Sequence, residues 1–80
     1  MAKIEYLGQL SDKCGREQNI ALPHAITDIA SLRLWLSSTF EGDPLNSPSI
    51  RAIVNGKVAA ETQTITNVDT IAFFPPVGGG

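Results

Sequence analysis

The sequence predicts an α+β fold, a mixed sheet of four or five strands packed on one main helix. Three features of the chain predict it. Two strand-like segments precede a single helical stretch, an Asn55-Gly56 hairpin follows, and one more strand-like segment comes last. The element order is therefore ββαββ with a final β. The chain has 80 residues, the size of one domain. A core of that size buries roughly 60% of the unfolded surface.

The first strand is expected over residues 3–7, where Ile4 and Tyr6 share one face and Lys3, Glu5 and Leu7 share the other. Gly8 ends that pattern, and the polar run from Ser11 to Arg16 reads as a turn. Residues 18–22 form a second strand, which Pro23 stops because proline has no N–H to give to a ladder. Asp28 is the expected N-cap of the helix. Ile29, Leu32, Leu36 and Phe40 then recur at helical spacing, with Leu34 and Trp35 broadening the apolar stripe. The spacing predicts a helix over 29–38, ended by Glu41-Gly42-Asp43-Pro44. Residues 50–54 and 57–60 are strands joined at Asn55-Gly56, both of which accept the positive φ of a type I′ turn. Residues 64–69 connect to the last strand, 70–74, where Ile71 and Phe73 face one way and Ala72 and Phe74 the other. That strand can fill the middle of the sheet beside the first. The domain is expected over 1–74, with an extended tail over 75–80.

Composition narrows the function. Hydrophobic residues are 42% and charged residues 18% of the chain, an ordinary globular balance. The formal net charge is −2 and the pI about 5.1. The basic residues Lys3, Lys13, Arg16, Arg33, Arg51 and Lys57 are scattered, whereas a surface that tracks phosphates needs them clustered. Nucleic acid is not an expected partner. No apolar run approaches the roughly 20 residues that span a bilayer, so no membrane partner is expected. No basic region followed by a long apolar stretch opens the chain, so no secretory leader is expected. Cys14 alone makes no internal disulfide, and a reducing, cytoplasmic setting is expected.

The tail carries the chemistry. It reads Phe73-Phe74-Pro75-Pro76-Val77-Gly78-Gly79-Gly80. At a glycine usage of about 7%, three terminal glycines arise by chance about once in three thousand chains. Pro75-Pro76 favours an extended path away from the domain. From Pro75 to Gly80 an extended chain reaches roughly 20 Å. Gly78 and Gly79, lacking Cβ atoms, suit a narrow channel. The group delivered is the carboxylate of Gly80. It is a poor electrophile until activated, most simply by ATP as an acyl adenylate. A sulfur nucleophile then displaces AMP and leaves a thiocarboxylate that can donate sulfur.

Residues 71–80 closely resemble the C-terminus of the small subunit of molybdopterin synthase, the MoaD family, whose members end in a similar Phe-Phe-Pro-Pro-Val-x-Gly-Gly. The resemblance extends over the chain: Lys3 to Leu10, Leu32-Arg33, Val54-Asn55 and Asp69 fall at family-like positions. Gly78 occupies the variable position before the double glycine. The resemblance implies the β-grasp fold of ubiquitin. It implies a ubiquitin-activating-type adenylating enzyme that uses ATP to charge Gly80, and a sulfur donor that makes the thiocarboxylate. It also implies a large synthase subunit that takes the tail, Pro75 to Gly79 inserted, and passes sulfur to the molybdopterin dithiolene. The two subunits would form a heterotetramer. An apolar patch that docks both partners corresponds here to Leu7, Val58 and Phe74. Leu7 and Phe74 indeed lie opposite the core-facing residues of their strands, and they would be neighbours if those strands pair.

No active site independent of a partner is expected, and neither a bound cofactor nor a metal. His24 reads as a loop residue, Cys14 as an inert turn residue and Trp35 as core. Asp12 with Glu17, and Glu41 with Asp43, read as solvated loop charges, since an acid–base pair needs burial to shift its pKa values. Other readings share the tail chemistry: a carrier for thiamin, cysteine or tRNA thiolation, or a ubiquitin-like modifier joined to lysines. A passive interaction domain is the remaining one.

Overall fold

The structure, a computed structural model, describes residues 1–75. Seven elements follow in order: β1 (Ala2–Tyr6), α1 (Leu10–Cys14), β2 (Glu17–Ile20), α2 (Ile29–Thr39), β3 (Arg51–Val54), β4 (Lys57–Ala59) and β5 (Thr70–Phe74). They form one five-stranded sheet in the order β2-β1-β5-β3-β4. The last strand is central. It pairs parallel to β1, with Ile4 opposite Ile71 and Tyr6 opposite Phe73. It pairs antiparallel to β3, with Ala52 opposite Phe73. This is a β-grasp sheet, mixed as expected, with its strand count settled at five.

One face of the sheet is dry. Ile4, Tyr6, Ala52, Ile71 and Phe73 bury against Ile29, Leu32 and Leu36 of α2, with Leu45 from the loop after the helix closing the layer. Tyr6 meets Phe40 edge to face, ring centroids 5.7 Å apart. Its hydroxyl accepts a hydrogen bond from Gln18 Nε2 at 2.7 Å, so the buried oxygen is satisfied.

The start of α2 is over-determined. Asp28 Oδ1 accepts from the Ser31 N–H at 2.8 Å, and Ser31 Oγ accepts from the Asp28 N–H at 3.3 Å, a capping box. The next free amides, Ile29 and Ala30, donate to the carbonyls of Gln63 and Glu61. The loop after β4 therefore serves as a second cap. Asn55 and Gly56 hold φ values of 50° and 87°, the positive pair a type I′ turn requires.

Four expectations change. Ser11 to Cys14 lies in a short helix rather than a turn. Leu10, its first residue, is buried, and Ser11 Oγ donates to the Gly8 carbonyl at 2.8 Å. Glu17 belongs to β2, not to a loop, and pairs with Lys3 at 3.0 Å. The second strand runs 17–20, two residues short of the expected end. Leu34 is 65% exposed and does not widen the buried stripe, whose remaining positions are taken by Arg33 and Ser37.

Candidate functional site

The open face of the sheet follows from strand parity. Ile71 and Phe73 point to the core, so Ala72 and Phe74 point the other way. On β1 the matching residues are Lys3 and Glu5, continued by Leu7. The Leu7 N–H donates to the Phe73 carbonyl at 2.9 Å, which carries the parallel pairing one step past β1. Leu7 thus stands beside Phe74, as the sequence anticipated. Leu7 is exposed and Phe74 half-buried. On the far side, β3 places Arg51 opposite Phe74 and Ile53 opposite Ala72.

Val58 is 63% exposed and sits across the hairpin from Ile53. The residues expected to form the patch are therefore on one face, but not all in contact by register. Leu7 and Phe74 are neighbours. Val58 joins them only through Ile53 and Ala72, which sequence reasoning missed. The signal was present: a two-residue Asn55-Gly56 loop forces Val54 opposite Lys57 and Ile53 opposite Val58. The apolar residues of this face are Leu7 and Val58, both exposed, Ile53 and Phe74, half-buried, and Ala72, which lies buried between them at 7% exposure. Arg51 rims the face on one side and the Lys3–Glu17 pair on the other.

Pro75, the last described residue, follows β5 directly, beside Gly8. Pro76, Val77, Gly78, Gly79 and Gly80, the residues expected to carry the chemistry, lie outside the described residues.

Behind the patch sits a second feature that sequence reasoning passed over. Arg33 is buried on α2, and its guanidinium forks onto Glu61: Nε to Oε1 at 2.9 Å, Nη2 to Oε2 at 2.7 Å. Nη1 donates to the carbonyls of Leu45 and Ser47 at 3.1 and 3.2 Å. The Cζ atom stands 5.7 Å from the centre of the Phe73 ring. One cation therefore ties the helix, two loops and the strand that feeds the tail. Its position was readable as four residues after Ile29 and three before Leu36, within the apolar stripe. A shallow cleft of about 330 Å³ beside it is lined by Ser47, Ile50 and Arg51, among others. The Arg33 donors there are already engaged.

The remaining titratable groups among the described residues are dispersed over the fold. Burial pushes the Tyr6 hydroxyl up to about 12, and burial also raises the Cys14 thiol, so both stay protonated near neutral pH. Cys14 is half-buried at the end of α1 rather than in a turn, and His24 is exposed in a loop. Trp35 packs partly buried against the core. Asp12, Glu41 and Asp43 are exposed. Among the described residues there is no group of three His, Cys, Asp or Glu side chains placed to hold a metal ion. Among them, too, no helix is long and apolar enough to cross a membrane.

The ThiS family model matches residues 4–80. Among solved structures, similarity is found to a protein assigned as molybdopterin converting factor subunit 1 from Pyrococcus furiosus. Its TM-score is 0.80 at 20% identity, covering 95% of this chain and 97% of that one. The small archaeal modifier protein 1 of Haloferax volcanii matches with a TM-score of 0.73 at 22% identity, over 99% and 98% of the two chains. Urm1 of Trypanosoma brucei matches with a TM-score of 0.68 at 14% identity, over 99% and 94%. At these identities the likeness is one of fold. No curated protein sequence gives a significant match.

Proposed function

The chain belongs to the ThiS family of ubiquitin-like sulfur carriers, and from that premise we propose that it is the sulfur-donating small subunit of a molybdopterin synthase. The observation that carries the choice of pathway is the run Phe73-Phe74-Pro75-Pro76-Val77 ahead of the terminal glycines. Phe74 joins the docking patch and Pro75 begins the tail, so one short motif couples the two.

The chemistry resides in partners and in the tail. In an adenylating enzyme of the ubiquitin-activating type, a Gly80 carboxylate oxygen attacks the α-phosphorus of ATP, and pyrophosphate leaves. Hydrosulfide supplied by a sulfur donor then adds to the acyl carbon, AMP departs, and the thiocarboxylate remains. The patch of Leu7, Phe74, Ala72, Ile53 and Val58 docks first this activator and then the large synthase subunit, in a heterotetramer. Pro75 to Gly79 enter the active site, and the thiocarboxylate sulfur passes to the nascent dithiolene. The chain supplies no complete active site, binds no cofactor of its own and works in the cytoplasm.

Intact mass spectrometry tests the carrier step. With a competent activator, ATP and sulfide, the chain should gain the mass of one oxygen exchanged for sulfur, and a chain ending before Gly80 should not. Dithiolene formation with a large synthase subunit then tests the pathway. A charged chain that fails there but thiolates a thiazole precursor, a cysteine precursor or tRNA belongs to another carrier pathway. Chain-linked lysines would mark a modifier.

A further inference from the structure

Gly8 and Pro75 meet where β1 and β5 part. The ladder between these strands ends with the Leu7 N–H bonded to the Phe73 carbonyl. Beyond that bond Gly8 turns away with φ +56°, and Pro75 follows it off the sheet. A Cβ built on Gly8 would stand 3.3 Å from Pro75 Cγ and 3.5 Å from its Cδ. A Cβ there would be tighter than an ordinary contact, and the proline ring would have to give by a few tenths of an ångström. Two constraints thus ask for glycine at one position, a left-handed backbone and a close approach.

Gly8 is itself held firmly. Its carbonyl accepts from the Ser11 N–H at 3.1 Å and from Ser11 Oγ at 2.8 Å, while the Leu7 carbonyl accepts from the Leu10 N–H at 3.2 Å. The short helix α1 therefore anchors the turn. Pro75 has a fixed φ and is followed by a second proline. A rigid ring resting on a rigid turn sets the direction in which the chain runs at Pro75.

We infer that Gly8 is a positioning residue that aims the C-terminal segment, by leaving room for the Pro75 ring, at the active site in which Gly80 is charged. The inference rests on the carrier reading above. It assigns separate tasks to adjacent residues: Leu7 and Phe74 hold the partner, while Gly8 and Pro75 point the tail.

The test uses the full chain with an adenylating partner and carrier-dependent exchange of pyrophosphate into ATP. Gly8→Asn is the informative variant, because asparagine tolerates a positive φ and still carries the crowding Cβ. Its kcat should fall about threefold to tenfold, a fraction of the roughly hundredfold that a full 1 Å misplacement can cost. Its KM should stay within about twofold, since binding through the patch is unchanged. Gly8→Asn combined with Pro75→Ala should be no slower than Pro75→Ala alone, because the atom that clashes is gone. In the free wild-type chain, a nuclear Overhauser contact should join the Gly8 α protons to the Pro75 ring. Absence of that contact overturns the inference, as does a Gly8→Asn chain charged at the wild-type rate, or losses that simply add in the double variant. A wild-type chain that is not charged at all overturns the carrier reading and this inference with it.

Discussion

Arg33 and Glu61 meet in a two-pronged ion pair, with one end buried and the other at the surface. The Arg33 side chain is 10% exposed and that of Glu61 50%. The two partners are therefore not equivalent. Glu61 returns to water when the pair breaks, whereas Arg33 remains among the carbonyls of Leu45 and Ser47 and the Phe73 ring.

Removing Arg33 should cost more than removing Glu61. Arg33→Ala leaves a void beside Phe73 and strips two carbonyls of their donor, a loss of about 3 kcal/mol. Glu61→Ala should cost about 1 kcal/mol, discounted because its carboxylate is half in solvent. Arg33→Lys should not restore stability, since an ammonium lacks the fork geometry. Urea unfolding of the three variants gives the order directly, and equal losses for the two alanine variants would contradict it.

Phe74→Ser should separate docking from folding. Phe74 faces away from the core, so the thermal midpoint should move by only a few degrees. Affinity for the large synthase subunit should drop at least about tenfold, as expected when an aromatic anchor of an interface is lost. Ile53→Asp should do the same, and calorimetric titration reads both.

Acid should reveal Asp69. Its carboxylate accepts from Asn55 Nδ2 at 2.9 Å and from the Thr66 N–H at 2.7 Å, and these bonds, that of Asn55 foremost, hold its pKa below the ordinary value. A carboxyl whose folded pKa is lowered binds its proton more readily in the unfolded chain. Its contribution is thus complete above the unfolded value of about 3.9 and is lost as pH falls toward and through the folded one. Asp69→Asn should be less stable than wild type at neutral pH. It should also show a shallower loss of stability below pH of about 4. Parallel acid slopes in the two proteins would refute this.

The terminus should be dispensable for folding and indispensable for charging. A chain with one alanine added after Gly80 should melt with the wild type and gain no sulfur mass in the presence of activator, ATP and sulfide. A sulfur-charged extended chain would place the reactive group elsewhere.

Much of the fold was legible because local chemistry dictates it. The helix over Ile29–Thr39 came from apolar spacing and a capping aspartate, both properties of one segment. The β3–β4 hairpin came from Asn55-Gly56, whose tolerance of positive φ needs no distant partner. The inward and outward residues of β1 and β5 came from simple alternation. The short helix Leu10–Cys14 escaped notice because five residues are too few for a periodic signal. Bonds to the Leu7 and Gly8 carbonyls hold it, and those depend on where β1 ends.

By itself, the sequence determined the five strand segments to within a few residues, the main helix, the alternating faces of β1 and β5, and that a glycine-terminated chain follows Pro75-Pro76. Local conformational preference and side-chain period settle each of these. Only the tertiary structure decided that Ile53 and Ala72 join Val58 to Phe74, that Arg33 is buried with Glu61, and that Gly8 lies under the Pro75 ring. Each is a contact between residues far apart in the chain, set by strand order and register. Those follow from packing the whole core at once, and no single stretch of sequence encodes them.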